Sequence, residues 1–194
     1  RMNKATDNNT IGSDPEPDLK GVTILQVLPA MGAGGGVERG TVEIAQAIVA
    51  RGGRALVASH GGAHEHEIKR VGAVHVTLPM HSKNPLVMYA NIGRLEQLIK
   101  KEGVHIVHAR SRAPAWSAYF ATRRTGVPFI TTFHGTYTAG NALKRQYNSV
   151  MTKGACVIAI SRFIAGHLHQ NYGVPSEKIH IIHRGVNLDS FDPA

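Results

Sequence analysis

A run of glycines and one histidine are the residues in this chain whose types and placement could do chemistry. Gly34, Gly35 and Gly36 stand between an apolar run (Val22, Ile24, Leu25, Val27, Leu28) and a helical pattern that begins at Val37. Glycine admits φ values closed to other residues and lets bare N–H groups approach a ligand. A helix that starts there offers the free amides of Gly34 to Val37 and the positive end of its dipole to a phosphate or carboxylate. The same glycines equally suit a tight strand-to-helix turn. His134, followed by Gly135 just past an apolar strand, can contact a substrate by hydrogen bond or proton transfer. Arg110, Arg112 and Arg184 carry planar forks that pair with phosphates. Ser111, Tyr137 and Ser161 stand beside them and complete the polar set.

These residues share one feature: each follows a predicted strand. The apolar run at residues 22–28 reads as a strand buried on both faces. After it, Val37, Thr41, Ile44, Ala45, Ile48 and Val49 recur at three- and four-residue steps, which is one face of a helix. The unit then repeats. Strands are predicted over 54–59, 74–78, 105–108, 128–133, 155–160 and 179–182. Helices are predicted over 64–71, 86–101, 114–124, 142–152 and 162–171. Strands separated by helices imply right-handed crossovers and a parallel sheet. The fold class is therefore α/β, a Rossmann-like doubly wound sheet of about seven strands. Its ligand belongs at the carboxyl ends of the strands, close to the first one.

Composition narrows the classes. A chain of 194 residues, 42% hydrophobic, can bury a real core. No stretch reaches the roughly 20 apolar residues of a membrane span. One cysteine, Cys156, permits no intrachain disulfide and sits in an apolar segment, which fits a reducing cytoplasm. The net charge of +9 calls for an acidic partner. Nucleic acid is disfavoured, since the chain has neither zinc spacing nor an aromatic-basic motif nor a continuous basic helix. Phosphorylated substrate or anionic lipid fits better, and Arg123, Arg124, Lys144, Arg145 and Lys153 belong to the basic surplus. A dinucleotide enzyme would need a third glycine where Val37 or Arg39 stands, and an acidic residue where the second strand ends in Ser59-His60. Twelve histidines raise the question of metal, but His64/His66 and His167/His169 are spaced by two and splay apart on a helix, so no metal site is expected. Residues 1–20 are polar, proline-bearing and aperiodic, and are expected to be a disordered tail.

Four motifs in order, G-G-G-V-E-R-G after the first strand, T-F-H-G after the fifth, I-A-I-S-R-F at the sixth and I-I-H-R-G-V-N-L-D-S-F-D-P at the close, resemble the N-terminal domain of retaining family-4 glycosyltransferases of GT-B architecture. The resemblance implies a two-domain enzyme in cell-envelope or polysaccharide synthesis, lipopolysaccharide included. Its N-terminal half, residues 21–183, would bind acceptor, and residues 184–194 would begin the interdomain linker. The absent C-terminal domain would bind most of the nucleotide-sugar, so this chain alone would not catalyse.

On the same resemblance, Gly34, Gly35, Gly36 and Val37 would face the donor diphosphate and His134 would act beside the transferred sugar. Arg110, Ser111, Arg112, Tyr137, Ser161 and Arg184 would bind a glycan or glycolipid acceptor. Many members carry Pro-Asn-Gly-Val where this chain has His183-Arg184-Gly185-Val186. No cofactor or metal is implied, the nucleotide-sugar being a substrate. The protein would be cytoplasmic, with the inner face of the membrane as its peripheral surface. Two other readings stay open: a stand-alone anion- or sugar-binding Rossmann-like module, and a dinucleotide-dependent enzyme domain.

Overall fold

A computed structural model of the chain describes residues 17–33, 35–137 and 141–185. Seven strands form one parallel sheet: β1 (Thr23–Val27), β2 (Arg54–Ser59), β3 (Val74–Thr77), β4 (Ile106–Ala109), β5 (Phe129–Phe133), β6 (Cys156–Ala159) and β7 (Ile179–Ile181). Their spatial order is β3-β2-β1-β4-β5-β6-β7. The order reverses between β1 and β4, which makes that gap the topological switch point where such sheets hold ligands. Helices α1 (Gly36–Ala50), α2 (Glu65–Arg70), α3 (Pro85–Glu102), α4 (Arg112–Thr125), α5 (Ala142–Asn148) and α6 (Arg162–Tyr172) connect them.

The strands form because β-branched and apolar residues fill both of their faces. Leu25 and Val27 of β1 join Leu56, Val107 and Val157 in a core beneath α3, α4 and α6. Ile24 and Leu28, on the alternate face, join Ala55 and Val57 beneath α1 and α2. Each such aliphatic side chain contributes about 1.5–3 kcal/mol on burial. The two layers are unequal. Helices α3, α4 and α6 pack along one face of the sheet, whereas α1 and α2 lie over β1 to β3. Among the described residues, no helix covers the second face of β4 to β7, where His108, Thr132, Ile158 and Ile182 point.

Local chemistry sets the element ends. Helix α4 begins at Arg112, two residues before the expected Pro114, because Ser111 takes the extended N-cap conformation (φ −158°). Pro114 then falls in the first turn, where no amide partner is lost. The expected helix over 142–152 divides at Ser149 into α5 and a 3₁₀ turn (Ser149–Thr152). There Ser149 Oγ donates to Gln146 O (2.7 Å) and Thr152 Oγ1 to Ser149 O (2.8 Å), which favours the tighter winding. The expected tail lies outside the described residues as far as residue 16. From residue 17 the chain is placed: Leu19 N donates to Arg51 O (2.9 Å), and the Leu19 side chain packs against the core under α1. Of the expected linker, residues 186–194 lie outside the described residues.

Candidate functional site

The carboxyl ends of β4 to β7 and the first two turns of α1 enclose a cleft of about 510 Å³. Helix α1 enters it through Gly35, the N-cap, whose φ of −112° is ordinary extended backbone. This corrects the sequence reading for Gly35: it occupies no backbone region closed to other residues. The glycines are needed instead for close approach. A Cβ on Gly36 would overlap Arg184 Nη1, and one on Gly40 would lie 2.8 Å from Arg110 Nη2. Gly36 and Gly40 are one turn apart, so two guanidinium groups approach one bare stripe of α1 through their terminal nitrogens. Val37 follows in the first turn and its side chain packs inward beneath α1. Gly34 lies outside the described residues.

Arg110 is the central cation. It leaves β4 at the switch point, is 4% exposed, and donates from Nη1 to Gln26 Oε1 on β1 (3.3 Å). Gln26 is held in turn by donating from Nε2 to Thr41 O on α1 (3.0 Å). Arg110 Nε has no hydrogen-bond partner among the described residues. Burial, with Arg184 nearby, lowers its pKa to about 10, opposed by Glu43 and Glu38, so it remains charged at neutral pH. A buried cation without a bonded carboxylate costs several kcal/mol. An anion in the cleft would offset that cost.

His134 follows β5 directly and lines the same space. Arg184 Nη2 lies 2.8 Å from its Nδ1. A guanidinium cannot accept, so Nδ1 accepts and the ring proton sits on Nε2. Nε2 is buried without a partner among the described residues. Burial, then the charges of Arg110 and Arg184, press the His134 pKa down to about 3. His134 is therefore a neutral hydrogen-bond donor at physiological pH. Of the two roles open from sequence, hydrogen bonding or proton transfer, the geometry suits the first. Beneath it, His108 (3% exposed) shares a 2.7 Å hydrogen bond with Thr132 Oγ1 and is also kept neutral, its pKa lowered to about 3 chiefly by burial.

The remaining sequence candidates divide. Arg110, His134 and Arg184 meet in this cleft, whereas Ser111 and Arg112 line a second one at the first turn of α4. Tyr137 is a platform: its ring packs on Phe133 (4.7 Å) and carries the Arg112 guanidinium (4.3 Å). Ser161 caps α6, accepting from Ile164 N at 3.2 Å, and lines neither cleft. Gln26, Gly40 and Glu43 escaped the sequence reading. The Gly36/Gly40 spacing was the available signal, since two glycines one turn apart weaken a helix unless something must lie against them.

Where β2 ends, Ser59 contacts His75 Nε2 (2.7 Å) and accepts from Gly61 N (3.0 Å), and Glu65 Oε1 lies 3.5 Å from His75 Nδ1. The paired histidines are engaged locally: His64 with Glu67 (2.9 Å), His167 with Asn171 (3.1 Å) and His169 with Val174 O (3.1 Å). Among the described residues, no helix is long and apolar enough to cross a membrane.

Comparison with known proteins agrees with this architecture. The model of Glycosyltransferase Family 4 matches residues 34–190. A glycosyltransferase from Rickettsia africae ESF-5 is 47% identical, with a TM-score of 0.77 over 89% of this chain and 45% of that one. The chain belongs to glycosyltransferase family 4, and its sheet is that of a GT-B glycosyltransferase domain. Alr3699/HepE of Anabaena, solved with UDP-glucose, shares the fold at 16% identity (TM-score 0.69, covering 86% of this chain and 45% of that one). The lipopolysaccharide outer core galactosyltransferase WaaB shares it at 14% identity (TM-score 0.64, 85% and 46%). The chain thus spans less than half the length of these proteins. No curated protein matches it.

Proposed function

We propose that this chain is the N-terminal, acceptor-side domain of a glycosyltransferase that moves a sugar from a nucleoside-diphosphate sugar to a glycan or glycolipid, with retention. The observation that carries the proposal is the cation pair Arg110 and Arg184 lying on the glycine stripe at the start of α1, beside the free Nε2–H of His134. In the transfer, the bond from the anomeric carbon to the diphosphate oxygen breaks and a bond to the acceptor oxygen forms. Negative charge grows on the departing diphosphate, and cations with helix amides fixed in advance stabilise it more than solvent could. The acceptor proton goes to that departing oxygen, because His134 is too weak a base to take it. His134 donates instead to an oxygen of the sugar.

The 47% identity to a glycosyltransferase supports this reading, as does the UDP-glucose bound by the fold relative from Anabaena. A missing C-terminal domain would carry most donor contacts, so this chain should hold UDP-sugars only in the millimolar range, about 4 kcal/mol. Calorimetry on this chain and a donor screen on the full-length protein test the proposal. Acceptor-dependent release of a nucleoside diphosphate is expected from the full-length protein, and its absence with every donor would refute the activity.

A further inference from the structure

The second cleft, about 420 Å³, opens between the first turn of α4 and α5. Four segments build it. Pro29 follows β1, His81 and Lys83 come from the loop before α3, Ser111 and Arg112 open α4, and Lys144, Tyr147 and Asn148 come from α5. Its walls carry Lys83, Arg112 and Lys144 and no acidic side chain. Among the described residues none of these three cations makes a salt bridge; the ion pairs formed elsewhere on the surface, such as Lys100 with Glu96, leave them aside. The first turn of α4 also contains no acidic residue, and the Ser111 hydroxyl caps no amide.

Two polar groups at this cleft are held in position. Arg112 Nη1 donates to Asn148 Oδ1 at 2.8 Å, while Tyr137 lies under the guanidinium. Asn148 is 1% exposed, and with Oδ1 used its Nδ2 has no partner among the described residues. Trp116 Nε1 donates to Tyr147 O (3.0 Å), which ties α5 to α4 and fixes the width of the opening. Three cations, a free hydroxyl and the amide end of a 14-residue helix match a tetrahedral dianion better than a single carboxylate.

We propose that this cleft binds a phosphate group of the acceptor, so that the acceptor is a phosphorylated glycan and not a neutral one. The inference rests on the acceptor role given to this domain above. It gives the two arginines different roles, Arg110 serving the cleft in which the donor diphosphate departs and Arg112 serving the acceptor. The phosphate could be carried by a soluble sugar phosphate or by a lipid-linked glycan, since the cleft reads the same group in both.

The test uses this chain as it stands. Inorganic phosphate and glucose 6-phosphate are titrated while the amide NMR signals of Ser111, Arg112 and Ala113 are followed beside those of Gly36 and Val37. The α4 signals should move, and the Lys83→Ala/Lys144→Ala variant, which alters two exposed side chains, should weaken that movement at least tenfold while leaving the spectrum folded. Free glucose should not move them. A parallel arm with vesicles of phosphatidylglycerol against phosphatidylcholine tells a lipid-borne phosphate from a soluble one, with the same two lysines deciding. Movement confined to Gly36 and Val37, or titration unchanged in the double variant, would overturn the proposal. Failure of the donor reading shows elsewhere, as a full-length enzyme that releases no nucleoside diphosphate.

Discussion

Arg110 and Arg112 are separated by one residue, yet they end in different clefts and in different physical states. Arg112 is anchored: it donates to Asn148 at 2.8 Å and lies over the Tyr137 ring at 4.3 Å. Arg110 is buried deeper and satisfied less, with one hydrogen bond of 3.3 Å to Gln26 and an unpartnered Nε. A guanidinium fixed by a short bond and an aromatic ring is held in place at the cleft it lines. One that is buried with an unpartnered donor carries a desolvation cost, which a bound anion would offset.

Replacing each arginine by methionine breaks the comparison most sharply. Arg110→Met removes a buried charge and keeps an apolar stem of similar length, so the melting temperature should hold or rise. In the full-length enzyme the same change should lower turnover by about 10²–10³-fold, the cost of losing a preorganised charge at the transition state. Arg112→Met should instead lower the melting temperature by a few degrees, through the loss of a charged hydrogen bond of about 1.5–3 kcal/mol. Thermal melts and single-turnover rates on both variants measure this. A destabilised, active Arg110→Met enzyme would invert the assignment.

His134→Ala should come next, with about 100-fold lower turnover and stability within ~0.5 kcal/mol, because the ring's hydrogen bond is to the exposed Arg184. The pH profile sharpens the role. With its pKa lowered to about 3, His134 stays neutral across the working range and adds no limb between pH 5 and 8. A limb near pH 6.5 that vanishes in the alanine variant would restore a proton-transfer role.

The sheet, its parallel strands and the rim where the polar residues gather were legible because burial on both faces leaves uninterrupted apolar runs. Arg110, Arg184 and His134 could be placed at that rim from strand ends alone. Their partners could not. Gln26 stands in the middle of β1 and reads as a lapse in an apolar strand until the structure brings Arg110, 84 positions away, onto it. The glycine loop was legible as a strand-to-helix turn, but the φ expected of its glycines is absent at Gly35, since φ cannot be read from a residue name. Ser161 and Tyr137 look like site residues in sequence because caps and aromatic platforms follow strands as often as ligand contacts do.

His108 carries the comparison into acid. It is buried and neutral in the fold, with a pKa lowered to about 3, whereas an unfolded histidine titrates near 6.5. Between these values the unfolded chain binds the extra proton, so stability is complete above about pH 6.5 and falls as pH drops toward 3. The slope from this one group is about 1.4 kcal/mol per pH unit well below pH 6.5. Denaturant melts from pH 7 to 4 should show it, and His108→Gln should flatten the curve by that amount. An unchanged slope would mean that His108 is protonated in the fold.

The smallest effects come from the two glycines that open α1, and they separate conformational need from spatial need. At Gly35 the backbone is extended (φ −112°), and an added methyl would meet only the end of the Glu38 side chain, which can swing away. Gly35→Ala should therefore cost less than about 1 kcal/mol, the difference between glycine and alanine at an N-cap. At Gly36, inside the helix, alanine should be neutral or stabilising by up to ~1 kcal/mol from propensity alone. Its methyl, however, takes the place of Arg184 Nη1 and so pushes the guanidinium off His134. The chain then loses the contact that fixes the ring proton on Nε2. Gly36→Ala should melt no lower than the parent, while full-length turnover falls several-fold and His134 becomes easier to protonate. An NMR titration of the His134 ring reads this directly, and a His134 pKa identical in Gly36→Ala and parent would show that Arg184 does not hold the ring.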